Sequence, residues 1–142
     1  MSQATHPRNV VSLLGRDSFD SAGFGVVEAV RAGLAVNAVD HLIATGSISA
    51  NELYTLVVPR KTLANRRKLG RLTPEQSDRL VRVARVFAEA EATFASSHKA
   101  HDWLRRPTAA LGGEAPLTLL DTDEGARLVR ALLGRIDHGI AA

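Results

Sequence analysis

Between positions 60 and 71 six cationic side chains, Arg60, Lys61, Arg66, Arg67, Lys68 and Arg71, stand with no carboxylate among them. Guanidinium and ammonium groups donate to phosphate oxygens and to the acceptor edge of guanine. Two polar residues lie among them: Asn65, whose amide can pair with adenine, and Thr62, whose hydroxyl and methyl can meet phosphate or a thymine methyl. The charge is polarised along the whole chain. Residues 1–58 carry 3 basic and 5 acidic side chains, residues 59–85 carry 9 and 2, and residues 86–142 carry 6 and 8. All the excess positive charge therefore lies in the middle block. A solvated face mixes the two signs, so this block reads as a contact for a polyanion.

A short helix must present these side chains. Pro59 suits the first helical position, Gly70 suits the left-handed stop, and only Leu63, Ala64 and Leu69 are apolar in between. Such a helix buries a narrow stripe and leaves most of its surface to Arg, Lys and Asn. Immediately before it, Ser49 and Glu52 have capping-box spacing and open a helix that carries Leu53, Leu56 and Val57 inward. Two short helices in tight succession, the second crowded with cations, describe a helix-turn-helix whose second member enters the major groove. The candidate DNA-binding residues are Arg60, Lys61, Thr62, Asn65, Arg66, Arg67 and Lys68. The turn LVVPRK lacks the glycine common in such motifs, which predicts a tighter or bent connection. The competing reading is a basic surface helix with no ligand.

The remaining composition supports an all-α fold. The chain has 142 residues, 45% hydrophobic but only 4% aromatic, so the core is built from Leu, Val, Ile and Ala, where a sandwich or barrel would draw on more aromatic and β-branched residues. Residues 1–20 read as a flexible arm whose one apolar patch, Val10, Val11, Leu13 and Leu14, can dock. Two helices of about ten residues follow, ended by Gly33 and Gly46. Thr73 and Gln76 form a second capping box with Pro74 at the first position, opening the longest helix, which runs to about Ala95 and buries Leu80, Val83, Ala84, Phe87 and Phe94. A helix over His98–Arg106 stops at Pro107, a Gly112-Gly113 turn leads to the apolar segment PLTLL, and Asp121 to Glu124 repeats the capping spacing. The last helix, Thr122–His138, turns Leu128, Val129, Leu132, Leu133 and Ile136 inward. The expected organisation is a flexible arm over 1–20, a helix-turn-helix and dimerisation module over 21–73, a connecting helix over 74–97 and a C-terminal module over 98–142.

Other chemistries fare poorly. The absence of cysteine removes disulfides, thiolate zinc sites and cysteine nucleophiles, and fits a reducing cytoplasm. His98 and His101 share a helical face with Asp102 beside them, but no third metal ligand has a diagnostic spacing. Asp121, Asp123 and Glu124 crowd a helix start, where they complement the dipole. Gly112-Gly113 opens no phosphate-binding pattern, and Trp103 reads as part of the C-terminal core. No catalytic residue, metal site or cofactor is expected. No apolar run is long enough to span a bilayer, so the chain reads as cytoplasmic, with no membrane partner.

Residues 25–142 resemble the Xre/MbcA/ParS family, the antitoxins of RES-domain toxin–antitoxin pairs. The likeness rests on Lys61-Thr62-Leu63, Ser77-Asp78-Arg79-Leu80, Trp103-Leu104, Pro107, Leu111-Gly112-Gly113, Pro116-Leu117, Leu120-Asp121-Thr122, Gly125-Ala126-Arg127 and the ending Gly134-Arg135-Ile136 to Gly139, all in order. The resemblance implies an Xre-like DNA-binding module that also dimerises, and a C-terminal module that binds a NAD-consuming RES-domain toxin and shields its cleft. On that basis the last helix and tail, Arg127, Arg130, Arg135, Asp137, His138, Gly139 and Ile140, become the expected toxin contacts. The expected partners are the toxin, an inverted-repeat operator and a second copy of the chain, forming a homodimer within a toxin–antitoxin hetero-oligomer. The alternatives are a stand-alone helix-turn-helix transcriptional regulator and, least favoured, an enzyme built on His98, His101 and Asp102.

Overall fold

The computed structural model describes residues 8–15 and 24–139. Within them the chain forms α1 (Val10–Leu14), α2 (Phe24–Ala32), α3 (Asn37–Ala44), α4 (Ala50–Leu56), α5 (Arg60–Leu69), α6 (Pro74–Phe94) and α7 (Ser97–Leu104). Two 3-10 segments, Ala109–Leu111 and Pro116–Asp121, lead to α8 (Asp123–Asp137). The only extended pairing among the described residues is an isolated antiparallel bridge between Ala35 and Arg71. The all-α expectation holds.

The spine is α6. Leu80, Val83, Ala84, Val86, Phe87 and Ala90 are buried along it, so it is apolar over more than one stripe, as a helix covered from several sides must be. It meets α1, α2, α7 and α8. The buried side chains, from Leu13 through Phe87 to Leu133, form one continuous core. Two helix starts are fixed by the predicted side chains. The Ser49 hydroxyl accepts from the Glu52 N–H at 3.1 Å while the Glu52 carboxylate accepts from the Ser49 N–H at 2.9 Å. Thr73 and Gln76 make the same reciprocal pair.

One tie sets the relation between the short helices and the spine. Leu72 N–H donates to Leu34 C=O at 2.8 Å, Val36 N–H to Gly70 C=O at 3.1 Å, and the Arg71 guanidinium to Gly33 C=O at 2.8 Å. The buried Ser77 hydroxyl accepts from Leu34 N–H and donates to Thr73 C=O. Gly33 is required here: its φ is +89°, and a Cβ would lie 2.2 Å from the Leu72 carbonyl oxygen.

Several expectations need correction. Residues 9–14 belong to the stretch read as a flexible arm, yet Asn9 and Ser12 cap α1 reciprocally and Leu13 and Leu14 are buried. The apolar patch is docked because α3 and α6 supply a surface for it. Pro59 is the residue before α5, not its first helical position, with ψ at 149°. The cap of α8 is Thr122, whose hydroxyl accepts from Gly125 N–H at 2.9 Å, while Asp121 ends the 3-10 segment. Leu69 and Leu128, read as inward, are 68% and 52% exposed. At 100° per residue Leu128 lies about 100° from Val129, the centre of the buried face of α8, and so falls just outside that face.

Candidate functional site

Helices α4 and α5 are joined by three residues, Val57, Val58 and Pro59. The connection is made without a left-handed residue: Val57 has φ −116° and ψ −61°, and both valines are buried. Apolar burial thus fixes the turn that glycine would otherwise allow.

Leu63 holds α5 to the core, with Thr62 and Arg66 half-buried on one side of it. The opposite face carries Arg60, Lys61, Ala64, Asn65 and Lys68, all exposed. The structure divides the seven candidate residues into two groups. Arg67 is bound face-on by Asp40 of α3, Nη1 to Oδ2 at 2.9 Å and Nη2 to Oδ1 at 2.7 Å. The Arg67 hydrogen bonds hold the Asp40 carboxyl below the usual carboxylate range, and the Asp40 carboxylate raises the Arg67 guanidinium in turn. Arg66 Nε donates to the Arg71 carbonyl at 2.8 Å, tying the end of α5 to the next loop. Arg60, Lys61, Asn65 and Lys68 have no side-chain hydrogen bond or ion pair among the described residues, so their donors stay open to a ligand. Thr62, half-buried, with Arg66 and Arg67 therefore makes up the anchored group, and the other four form the free polar face of α5.

On α8 the seven expected contacts also separate. Arg130 is held by Glu89 of α6, with Nε 3.0 Å from both carboxylate oxygens, and the Glu89 hydrogen bonds raise its pKa. Arg127 has only a 3.7 Å ion pair to Glu124, both side chains 70% exposed. Arg135 and Asp137 are exposed, and His138 Nδ1–H donates to the Gly134 carbonyl at 2.7 Å, closing the helix end. Gly139 has φ +73°, and Ile140 lies outside the described residues. Leu128 was not foreseen as a surface residue. It lies seven residues from Arg135, on the same face of α8, and the sequence signal was an apolar set too wide for one buried stripe.

A second structural pair links the two ends of the chain. Arg105, just after α7, donates Nε and Nη2 to Glu52 of α4 at 3.0 and 2.8 Å, and Nη2 also reaches the Ser47 carbonyl at 2.9 Å. Burial opposes ionisation of Glu52, but the hydrogen bonds from Arg105 and Ser49 outweigh it and hold the carboxyl below its ordinary pKa. Sequence reasoning missed this pair, since 53 residues separate its members.

His98 and His101 flank Asp102 at 3.3 and 3.8 Å at the mouth of a cavity of about 410 Å³. Its one buried carboxylate, Glu91, is engaged by Arg8 through Nε at 3.1 and 3.2 Å. Among the described residues no group of three side chains is placed to hold a metal ion. Trp103 is half-buried, its ring centroid 5.5 Å from that of Phe94 at an angle of 47°.

A helix-turn-helix with an open cationic face, continuous through one long helix with a second helical module, is the architecture of a DNA-binding regulator that also holds a partner. Residues 25–85 match the Antitoxin Xre-like helix-turn-helix domain, and residues 89–139 match the Antitoxin Xre/MbcA/ParS C-terminal toxin-binding domain. An Antitoxin Xre of Yersinia enterocolitica serotype O:8 / biotype 1B is 35% identical over 123 residues, 84% of this chain and 83% of its own. An Antitoxin Xre of Photorhabdus laumondii subsp. laumondii is 40% identical over 74 residues, about half of each chain at 51% and 50%. A Prs ADP-ribosylating antitoxin of Sphingobium sp. strain YBL2 is 26% identical over 124 residues, 80% of this chain and 78% of its own. These similarities define the class: an antitoxin that pairs a helix-turn-helix with a toxin-binding domain. The chain belongs to the Xre/MbcA/ParS antitoxin family. That is not an enzyme class, and no described helix is long and apolar enough to cross a membrane.

Proposed function

We propose that this antitoxin neutralises a RES-domain, NAD-consuming toxin and, as a homodimer on an inverted repeat, represses its own operon. The observation that carries the DNA half is the face of α5, where Arg60, Lys61, Asn65 and Lys68 are exposed and unengaged while Arg66 and Arg67 fix the helix from behind. Two such helices in successive major grooves would read half-sites about 34–36 Å apart. With three or four phosphate contacts per protomer, the logarithm of affinity falls with that of salt at a slope of about −5 to −7 per dimer. Replacing Arg60, Lys61, Asn65 and Lys68 with Ala abolishes operator binding in a gel shift and leaves toxin neutralisation intact. Unchanged affinity would remove α5 from the interface.

Support for the toxin half comes from the resemblance, and the Sphingobium relative's name points to ADP-ribosyl chemistry, which consumes NAD. On α8, Leu128 supplies an apolar contact flanked by Arg127 and Arg135, and Gly139 has φ +73° just after the helix. Residues 137–142 then obstruct NAD entry without chemistry or a cofactor of their own. Removal of residues 137–142 leaves docking largely intact but restores NAD consumption in the purified complex. Full inhibition by the truncated chain would transfer the blockade to the body of α8.

A further inference from the structure

Between α6 and α8 lies a groove of about 270 Å³; the toxin reading uses Arg127 and Arg130 of its α8 wall, but neither the DNA nor the toxin reading uses Arg82 and Arg85 of its α6 wall. Arg82 and Arg85 line it from α6 and Arg127 and Arg130 from α8, each pair one turn apart; Asp78 and Asp123 are the carboxylates in its wall, and Val81 and Ala126 its apolar part. Four guanidiniums against two carboxylates leave the lining at 4 − 2 = +2. Of the four, Arg130 alone makes side-chain hydrogen bonds among the described residues, to Glu89.

The decisive residue is Arg82. Its side chain is only 17% exposed, yet its nearest carboxylate oxygens are at 3.7 Å on Asp78 and 4.0 Å on Asp123, both beyond hydrogen-bond length. A guanidinium carries five N–H donors, and because both ion pairs are longer than a hydrogen bond and no buried side-chain nitrogen among the described residues lacks a partner, the donors of Arg82 stay open to oxygens entering the groove. Arg85 is exposed with no partner among the described residues, and Arg127 has only its long contact to Glu124. These three cations, none with a side-chain hydrogen bond among the described residues, line one groove from two helices. They suit an anion with tetrahedral groups on both sides and more than one negative charge.

We propose that the α6–α8 groove is a binding site for a diphosphate group, carried by inorganic pyrophosphate or by a nucleoside diphosphate. A diphosphate can present one phosphoryl group to Arg82 and Arg85 and the other to Arg127, and so offers more charge-assisted contacts than a single phosphate. The site straddles the two family domains, since Arg82 and Arg85 belong to residues 25–85 and Arg127 and Arg130 to residues 89–139. Its ligand would therefore clamp one domain to the other.

The test is isothermal titration of the full chain with pyrophosphate, ADP and inorganic phosphate at constant ionic strength, using sodium chloride as the control. Saturable binding of pyrophosphate is expected, at least about ten-fold tighter than phosphate, because a charge-assisted pair of hydrogen bonds is worth that factor. ADP binding tighter than pyrophosphate would make the nucleoside part of the ligand; equal affinities would confine recognition to the diphosphate, and either supports the site. Arg82→Gln weakens pyrophosphate by about ten-fold. Arg85→Gln, at an exposed position where folding is not at risk, weakens it by a smaller factor. Heats matched by sodium chloride, phosphate binding as tightly as pyrophosphate, or both variants binding like the parent would overturn the proposal. So would loss of affinity for the DNA upstream of its own reading frame in Arg82→Gln with pyrophosphate binding unchanged, which would make the groove a track for duplex phosphates.

Discussion

Removing the Arg105 side chain should loosen the attachment of the toxin-binding module to the helix-turn-helix. The Arg105 and Glu52 side chains are only 23% and 26% exposed, and two donors meet the carboxylate at 3.0 and 2.8 Å. A charge-assisted hydrogen bond contributes about 1.5–3 kcal/mol where water is largely excluded, and the residual exposure here places the pair toward the lower end. Arg105→Ala also strips the Ser47 and His101 carbonyls of their guanidinium donor and leaves Glu52 with the Ser49 N–H alone. The expected loss is about 2–3 kcal/mol. Glu52→Gln keeps a cap acceptor but not the charge and should lose about 1–2 kcal/mol. In a double-mutant cycle by urea unfolding, followed by circular dichroism, the coupling energy should be about 1–2 kcal/mol. The exposed Arg127–Glu124 pair is the internal control, since such pairs contribute about 0–0.5 kcal/mol. A coupling at Arg105–Glu52 no larger than that control would refute the argument that the two modules are clasped here.

Three other outcomes follow from the geometry. Trp103→Ala should destabilise by about 2–3 kcal/mol in thermal melts, less than the 3–5 kcal/mol typical of full burial because the ring is half-exposed; a folded variant that loses only its partner would make Trp103 an interface residue. Gly33→Ala must fit a Cβ 2.2 Å from the Leu72 carbonyl at φ +89°, so a loss of at least about 3 kcal/mol is expected in urea titration, and near-neutrality would refute the packing of the 33–36 and 70–77 segments. Glu52 has a folded pKa below its ordinary value, so its contribution is fully present above that value and is lost as pH falls through the folded pKa. Glu52→Gln should therefore flatten the acid limb of the stability profile below about pH 4.5.

The elements were legible because their ends are written locally. Ser49 with Glu52 and Thr73 with Gln76 announce helix starts three residues apart, and Gly33, Gly46 and Gly70 adopt the left-handed conformations that stop them. The polar face of α5 was legible for the same reason, since composition within ten residues decides it. What the sequence could not disclose depends on distance along the chain. Arg67 looked as free as Lys68 because its partner, Asp40, is 27 residues away, and Arg8 lay in an apparent arm because Glu91 is 83 residues away. Leu128 and Val129 are adjacent leucine-like residues in the same helix, and only the place where α6 ends its coverage of α8 decides which one meets water.

The boundary between the two family domains falls at residues 85–89, in the middle of α6, where there is no loop. A continuous helix transmits rotation as a rigid shaft does, and each residue inserted into it advances the distal end by about 1.5 Å and turns it by about 100°. The angular phase between the DNA-reading face and the toxin-holding face is therefore set by a residue count. A hybrid that exchanges heads between relatives must conserve that count or change it by about seven, close to two whole turns. The number of residues in α6 is thus itself heritable geometry, and it limits which halves of such antitoxins can be recombined into a working whole.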